Sequence, residues 1–238
     1  MSIPFTTNRW HKFTNEGGLR PSILGMNDGL VSNFCLLMGI SGGTSNAETT
    51  NIALLAGIAA MIAGAFSMAA GEYISVLSEK DTLKHQINFI KKSLTNHPEI
   101  ATQQLALIYK DKGFSEIESN KISDVIICDP IIALDTIAKE TFGGNIKQLG
   151  SPNKAAASSF IAFIVGAFIP LSPFFISGKQ NSIIISGTLS LLSLFIVGGL
   201  IANMNNKNIL YGSLKMMAIG SFAATITYGI GYIIGIYL

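Results

Sequence analysis

Residues 49–71 have the sequence TTNIALLAGIAAMIAGAFSMAAG, which contains no charged side chain. A helix of about 20 apolar residues is long enough to cross the hydrocarbon core of a bilayer, so this stretch predicts a membrane-spanning helix. Hydrophobic residues make up 49% of the chain and charged residues only 13%, about half the charged share of ordinary soluble domains. We therefore expect an all-α membrane protein with five transmembrane helices. The other four runs that predict spans are 22–40, 155–178, 180–206 and 208–238.

Lysine and arginine predict how the chain is oriented. Arg9, Lys12 and Arg20 precede the first span, and ten lysines lie between the second and third spans. By the positive-inside rule, both of these segments are expected in the cytoplasm. The expected organisation is a cytoplasmic head (1–20), transmembrane helices one and two (21–78), a cytoplasmic helical domain (79–153) and transmembrane helices three to five (154–238).

The middle segment carries signals for several helix starts and stops. The second span is expected to continue as one long helix until Asn96-His97-Pro98-Glu99, since proline suits the first turn of a new helix. Ser115 and Glu118 have the spacing of a capping box. Asp129-Pro130 predicts another helix start, and Gly143-Gly144 its stop. We predict three or four helices here and no strands.

Two acids lie in or at the end of the apolar runs. Asp28 is inside the first run, and Glu72 directly follows the second. A carboxylate in hydrocarbon costs about 2.5–3.5 kcal/mol on insertion scales, so such acids are rare without a function. At a rise of about 1.5 Å per residue, Asp28 is about 9 Å inside and Glu72 about 33 Å along the returning helix. Asp28, Met68 and Glu72 are therefore expected at one level in the cytoplasmic half of the membrane.

Carboxylate oxygen and thioether sulfur together predict a site for a divalent transition metal, because magnesium and calcium prefer oxygen ligands only. Asn27, Asn33 and Ser32 would add neutral oxygens. The Asn27-Asp28-Gly29 sequence is also expected to loosen the helix, which would free backbone carbonyls as further ligands.

Each of these residues also has a purely structural interpretation. Met68 is a packing residue in that alternative, and Glu72 is an ordinary interfacial residue at a helix end. Asp28 is then a hydrogen-bonding partner of another span.

Small residues recur at three- and four-residue spacing in the second and last spans, which lets helix backbones approach closely. This pattern predicts tight packing within the chain, between two copies of it, or both. The residues that we assign to this packing are Gly57, Gly64, Gly71, Gly231 and Gly235.

Three classes of function compete. A cation exporter explains the acids, their common depth and the charge distribution. A membrane enzyme is disfavoured, because His11, His85 and His97 all lie outside the spans and no HExxH or HxxxD motif occurs. A membrane scaffold or assembly subunit without transport activity explains the small residues but leaves Asp28 unexplained.

Cofactors and partners follow from the same residues. Cys35 and Cys128 have neither CxxC nor Cys/His spacing, so we expect no resident cofactor. The net charge of +2 comes from scattered lysines, so no nucleic-acid partner is expected. The expected partners are divalent metal ions, protons and the lipid bilayer.

Two long strings resemble a known family. GLRPSILGMNDGLVSNFCLLMGISGG at 18–43 and AGAFSMAAGEYISVLSEKD at 63–81 closely resemble the vacuolar iron transporter family, especially its prokaryotic members. The resemblance continues through VGAFIPLSPFF at 165–175 and covers nearly the whole chain. It implies a homodimer of five-span subunits, with the metal path between the first spans. It also implies proton-coupled movement of ferrous iron, and often manganese(II), out of the cytosol.

By motif, Asp28 and Met68 match the transport aspartate and methionine of that family, and Glu72 matches the acid of its GEY string. The prokaryotic type of the motif favours a prokaryotic plasma membrane.

The chain departs from the family pattern in two places. The family's metal-collecting cytoplasmic domain is rich in glutamates, whereas here only Glu79, Asp81, His85 and Glu140 remain as plausible ligands. In the last helix of that domain, the family often has His or Met at the position of Thr136. Eukaryotic members have an acid deep in the second span, at the position of Ala60. The transport motif is thus intact and the collecting site depleted; the alternative for its acids is an ordinary solvated helix surface.

Overall fold

The computed structural model describes residues 18–43, 49–142, 150–176 and 181–237, and these contain helices and connecting turns but no strand. Five of the helices are long and apolar enough to cross a membrane, namely Leu19–Gly43, Thr49–Asn96, Pro152–Leu171, Asn181–Met204 and Ile209–Tyr237. The expected all-α membrane protein with five spans is confirmed at this level. The helices are α1 Leu19–Gly43, α2 Thr49–Asn96, α3 Pro98–Asp111, α4 Glu116–Ile127, α5 Pro130–Phe142, α6 Pro152–Leu171, α7 Pro173–Ile176, α8 Asn181–Met204 and α9 Ile209–Tyr237.

The third span is shorter than the predicted 155–178, because α6 ends at Leu171. Proline has no N–H and disrupts the hydrogen-bond ladder of a helix, and Pro170 lies within the last turn of α6. Two serine hydroxyls bond to carbonyls at this break. Ser172 Oγ donates to the Ile169 carbonyl at 2.9 Å, and Ser186 Oγ of α8 donates to the Pro170 carbonyl at 2.6 Å.

Capping chemistry sets the ends of the helices in the middle segment. Helix α2 runs without a break to Asn96, and α3 starts at Pro98, as predicted. Ser115 and Glu118 form the predicted capping box. Hydrogen bonds from the Ser115 hydroxyl and backbone N–H lower the pKa of the Glu118 carboxyl. Asp129 Oδ1 accepts from the backbone N–H of Ile131 at 2.8 Å and caps α5. The predicted stop at Gly143-Gly144 lies outside the described residues.

The chain divides into two compact units, one of which is Ile74–Ser151. The first unit contains α1, the part of α2 up to Tyr73, and α6 to α9, which follow from Pro152 onward. The second unit contains the rest of α2 with α3 to α5. Its core is apolar and consists of Ile90, Leu105, Ile137 and Ala138. The assignment of 79–153 to the cytoplasm stays a prediction.

Glycines bring α1 into backbone contact with α6 and α9. A Cβ built on Gly29 would overlap the Phe163 carbonyl oxygen, and one on Gly166 would overlap the Met26 carbonyl oxygen. Helix α1 is continuous through Asn27, Asp28 and Gly29. The expected loosening at this point is wrong, and Gly29 is required instead for the close approach of α6.

The small-residue stripes have different neighbours. Gly231 and Gly235 of α9 pack on the carbonyls of Gly39 and Gly43 of α1 in the same chain. On α2, Gly57 faces the Leu171 side chain and Gly64 faces the Phe163 ring. No described atom lies within 4 Å of the position of a Cβ on Gly71.

Gly231→Ala is expected to destabilise the protein by about 1–3 kcal/mol, because the added methyl overlaps backbone and the two helices must separate. Gly229→Ala is the matched control on the same helix, since no described atom lies within 4 Å of its Cβ position. Alanine favours a helix over glycine by up to about 1 kcal/mol, so the control should be neutral or stabilising. Thermal unfolding in detergent measures both. Equal shifts of Tm in the two variants would contradict the proposed packing.

Candidate functional site

A cavity of about 420 Å³ lies among α1, α2 and α6 in the first unit. Its apolar wall consists of Leu36, Ala60, Gly64 and Phe163. The residues that bring oxygen or sulfur to its lining are Asp28, Ser32, Asn33, Met61, Ser67 and Met68. A cavity with one carboxylate, several neutral oxygens and two thioethers has the ligand types that a divalent transition metal accepts.

Asp28 and Met68, which are 40 positions apart in the sequence, line this one cavity. Asp28 is exposed in the single chain, as is Ser32 four residues later on α1. Ser32 Oγ donates to the Asp28 backbone carbonyl at 2.6 Å. Asp28 therefore lies at the open side of the cavity, whereas Met68 of α2 is partly buried.

Phe163 of α6 forms the wall that positions the two thioethers. Its ring occupies the space that a side chain at Gly64 would need. Met61 and Met68 both pack against a buried cluster made of Ala65, Phe163 and Ala167. Glycine at position 64 thus lets the aromatic ring reach α2, where the ring lines the cavity.

The two predicted asparagines carry unpaired oxygens. Asn33 is 2% exposed, and its Nδ2 donates to the Ala167 carbonyl at 2.7 Å. The Oδ1 atoms of Asn33 and Asn27 are buried and have no hydrogen-bond partner in the described part of the chain. Asn33 lines the cavity, whereas Asn27 is outside its lining.

Glu72 is half-buried on α2, one turn after Met68, and is not part of the cavity lining. The assignment of Asp28, Met68, Glu72, Asn27 and Asn33 to a transport path stays a prediction.

The predicted cytoplasmic ligands all lie in the second unit. Glu79, Asp81 and His85 are exposed on α2, and Asp81 forms an ion pair with Lys84 at 3.6 Å. Glu140 forms an ion pair with Lys112. Among the residues that the structure describes, no three His, Cys, Asp or Glu side chains are grouped so that they could hold one metal ion.

Sequence reasoning did not assign Met61, Ser67 or Phe163 to the site. Met61 precedes Met68 by seven residues and so shares its helix face, which is the signal that was available. Phe163 could not be found in this way, because its place opposite Gly64 depends on the packing of α6.

Comparison with known proteins adds independent evidence. The sequence profile of the VIT family matches residues 19–232. The chain is 31% identical over 233 residues to a protein named vacuolar iron transporter from Acanthamoeba castellanii, covering 94% of this chain and 82% of the relative. It is 28% identical to vacuolar iron transporter 1 of Tulipa gesneriana, covering 91% of this chain and 87% of the relative. It is also 28% identical to vacuolar iron transporter 1 of Arabidopsis thaliana, covering 91% and 86%.

The profile match begins at the first residue of α1 and ends within α9, so it includes residues of all five apolar helices. The chain therefore belongs to the VIT family.

Proposed function

We propose that this protein moves ferrous iron or manganese(II) out of the cytosol in exchange for protons. The observation that carries the proposal is the cavity in which the Asp28 carboxylate and the Met68 thioether face the same space, within helices long and apolar enough to span a membrane. The names of the relatives support metal ion transport, with iron as the cargo. They also point away from catalysis.

Proton exchange follows from the chemistry of the carboxylate. A metal ion binds the deprotonated form, so metal binding releases a proton and protonation releases the metal. A proton from the more acidic side can displace the metal from Asp28, and a metal ion from the cytosol can displace the proton. One carboxylate that is exposed alternately to the two sides is sufficient for this exchange.

The orientation belongs to the same proposal. The lysine-rich segment 79–153 and the head 1–20 lie in the cytoplasm, and the protein resides in a prokaryotic plasma membrane. The distribution of lysine and arginine supports this orientation, and the type of the sequence motif supports the membrane.

We infer a homodimer in which the first helices of two copies face each other. Asp28 and Ser32 are exposed on one face of α1 in the single chain. That face would place a carboxylate against lipid, at a cost of several kcal/mol, unless a second copy covers it. Light scattering of the detergent-solubilised protein should give the mass of two chains, and a monomeric mass would contradict the inference.

The scaffold alternative receives less support. It rested on the small residues that recur in the second and last spans, but Gly231 and Gly235 already pack against α1 of the same chain. Transport into membrane vesicles distinguishes the two functions. Inverted vesicles with an acidic lumen should accumulate iron or manganese, and dissipating the pH gradient should stop the accumulation. A scaffold would give no uptake above that of vesicles without the protein.

Replacing Glu79, Asp81 and Glu140 together by Gln is expected to lower transport by less than about threefold. Asp81 and Glu140 are already paired with lysines. Exposed ion pairs of this kind contribute at most about 1 kcal/mol to the free energy of unfolding. The measurement is initial iron uptake by vesicles with equal protein content. A loss as large as that of an Asp28 variant would show that this segment collects metal.

A further inference from the structure

The two ends of the Asn33 amide have different surroundings. The nitrogen end donates to the Ala167 carbonyl of α6. A carbonyl oxygen accepts only from a donor, so this bond fixes which end of the amide is the nitrogen. The Oδ1 end lies towards α2, 3.6 Å from the position that a Cβ on Gly57 would take. It is buried without a hydrogen-bond partner, although an unsatisfied buried acceptor costs about 1–3 kcal/mol.

Met61 brings a second thioether to the same cavity, deeper in the helix pair than Met68. Asn33 follows Asp28 by five residues on α1, about 7.5 Å along the helix, and Met61 precedes Met68 by seven residues on α2, about 10.5 Å. The two helices run in opposite directions at this point, since Leu37 of α1 packs with Ala53 of α2 while Asp28 shares the cavity with Met68. Asn33 and Met61 are therefore displaced from Asp28 and Met68 in the same direction.

We propose that Asn33 Oδ1 and Met61 Sδ form an inner station for the transported cation, beyond an outer station formed by Asp28 and Met68. The inner station repeats the pairing of one oxygen with one thioether, but without a negative charge. This proposal rests on the proposed function of metal transport and specifies two binding positions within its path.

A charge-free second position suits transport. Conduction requires sites that bind strongly enough for entry and weakly enough for release. The charged outer station attracts the cation from the cytosol, and the neutral inner station receives it without a proton in competition. Because each station contains a sulfur atom, each favours the softer transition metals over hard cations.

Met61→Leu tests the sulfur, because leucine keeps the volume and removes only the thioether. In proteoliposomes, we expect the initial rate of iron uptake to fall about tenfold and the iron-to-manganese rate ratio to fall with it. The dependence of uptake on the pH gradient should be unchanged, because Asp28 remains. Met216→Leu is the matched control, since Met216 packs in a different apolar cluster and is outside the cavity lining.

Asn33→Asp tests the oxygen with a side chain of the same shape. A carboxyl at this position gives the inner station a charge, so we expect a lower KM for manganese and a lower maximal rate, because the ion is held more tightly.

Three outcomes are distinguishable. Reduced iron preference in Met61→Leu, with an altered KM in Asn33→Asp, supports the inner station. Wild-type rates, rate ratios and KM in both variants overturn it while metal transport itself stands. If the unmodified protein transports neither ion, the proposed function fails, and the inner station fails with it.

Discussion

Asp28→Asn is expected to abolish proton-coupled metal transport. The amide keeps the shape of the side chain but removes the negative charge that attracts the cation and the group that exchanges metal for proton. Loss of residues that only support metal ligands costs about 10–100-fold in affinity or activity, so loss of the ligand itself should cost at least about 100-fold. The measurement is iron uptake by inverted vesicles with an acidic lumen, at equal protein content.

Its matched control is Asp124→Asn, an exposed aspartate of α4 in the second unit, which should transport at the wild-type rate. A second readout separates coupling from binding: in Asp28→Asn, any residual uptake should be the same with and without the pH gradient. Wild-type uptake, stimulated as usual by the gradient, would exclude Asp28 from both roles.

Features that depend on local chemistry were predictable from the sequence. Long apolar runs predicted five spans, because only a helix of that length satisfies its backbone in hydrocarbon. The start of α4 followed from Ser115 and Glu118, since a capping box needs only residues three apart. Helix rise and the opposite entry of two neighbouring spans predicted a common level for Asp28, Met68 and Glu72; Asp28 and Met68 line one cavity, whereas Glu72 lies outside its lining.

Features that depend on packing between distant segments were not predictable. The Asn27-Asp28-Gly29 sequence predicted a loosened α1, but the helix is continuous there. Gly29 instead allows the backbone of α6 to pass close to α1. The orientation of the Asn33 amide depends on Ala167, a partner 134 positions away. Phe163 belongs to the cavity wall for the same kind of reason, and no periodicity within α6 marks it.

Ion pairs between separate helices were also not predictable from the sequence. Glu140 is one of the few acids left in the second unit that could collect metal, and its pairing with Lys112 joins α5 to the residue after α3. An acid occupied by a lysine is a poorer metal ligand, because the cation must first displace the ammonium group. The depletion that the family resemblance implies stays a prediction, and this contact, which the sequence does not reveal, supports it.

Met68→Ala is expected to weaken both iron and manganese transport, with iron affected more. Thioether sulfur is a soft ligand and favours ferrous iron over harder ions, and Met68 lines the same cavity as Asp28. The alanine variant also leaves a void next to Phe163, since Met68 packs against that cluster. Such a void lowers stability by about 2–5 kcal/mol, so this variant alone does not separate ligation from packing.

Met68→Leu makes that separation, because it keeps the volume and removes only the sulfur, at a packing cost below about 1.5 kcal/mol. We expect Met68→Leu to transport iron about tenfold more slowly than the unmodified protein, and to discriminate less against magnesium in competition assays. Thermal unfolding in detergent should show that its Tm stays close to that of the unmodified protein, whereas the alanine variant unfolds earlier. If Met68→Leu restores both the iron rate and the preference over magnesium, then Met68 is a packing residue, and Asp28 selects its cation without sulfur at the outer station.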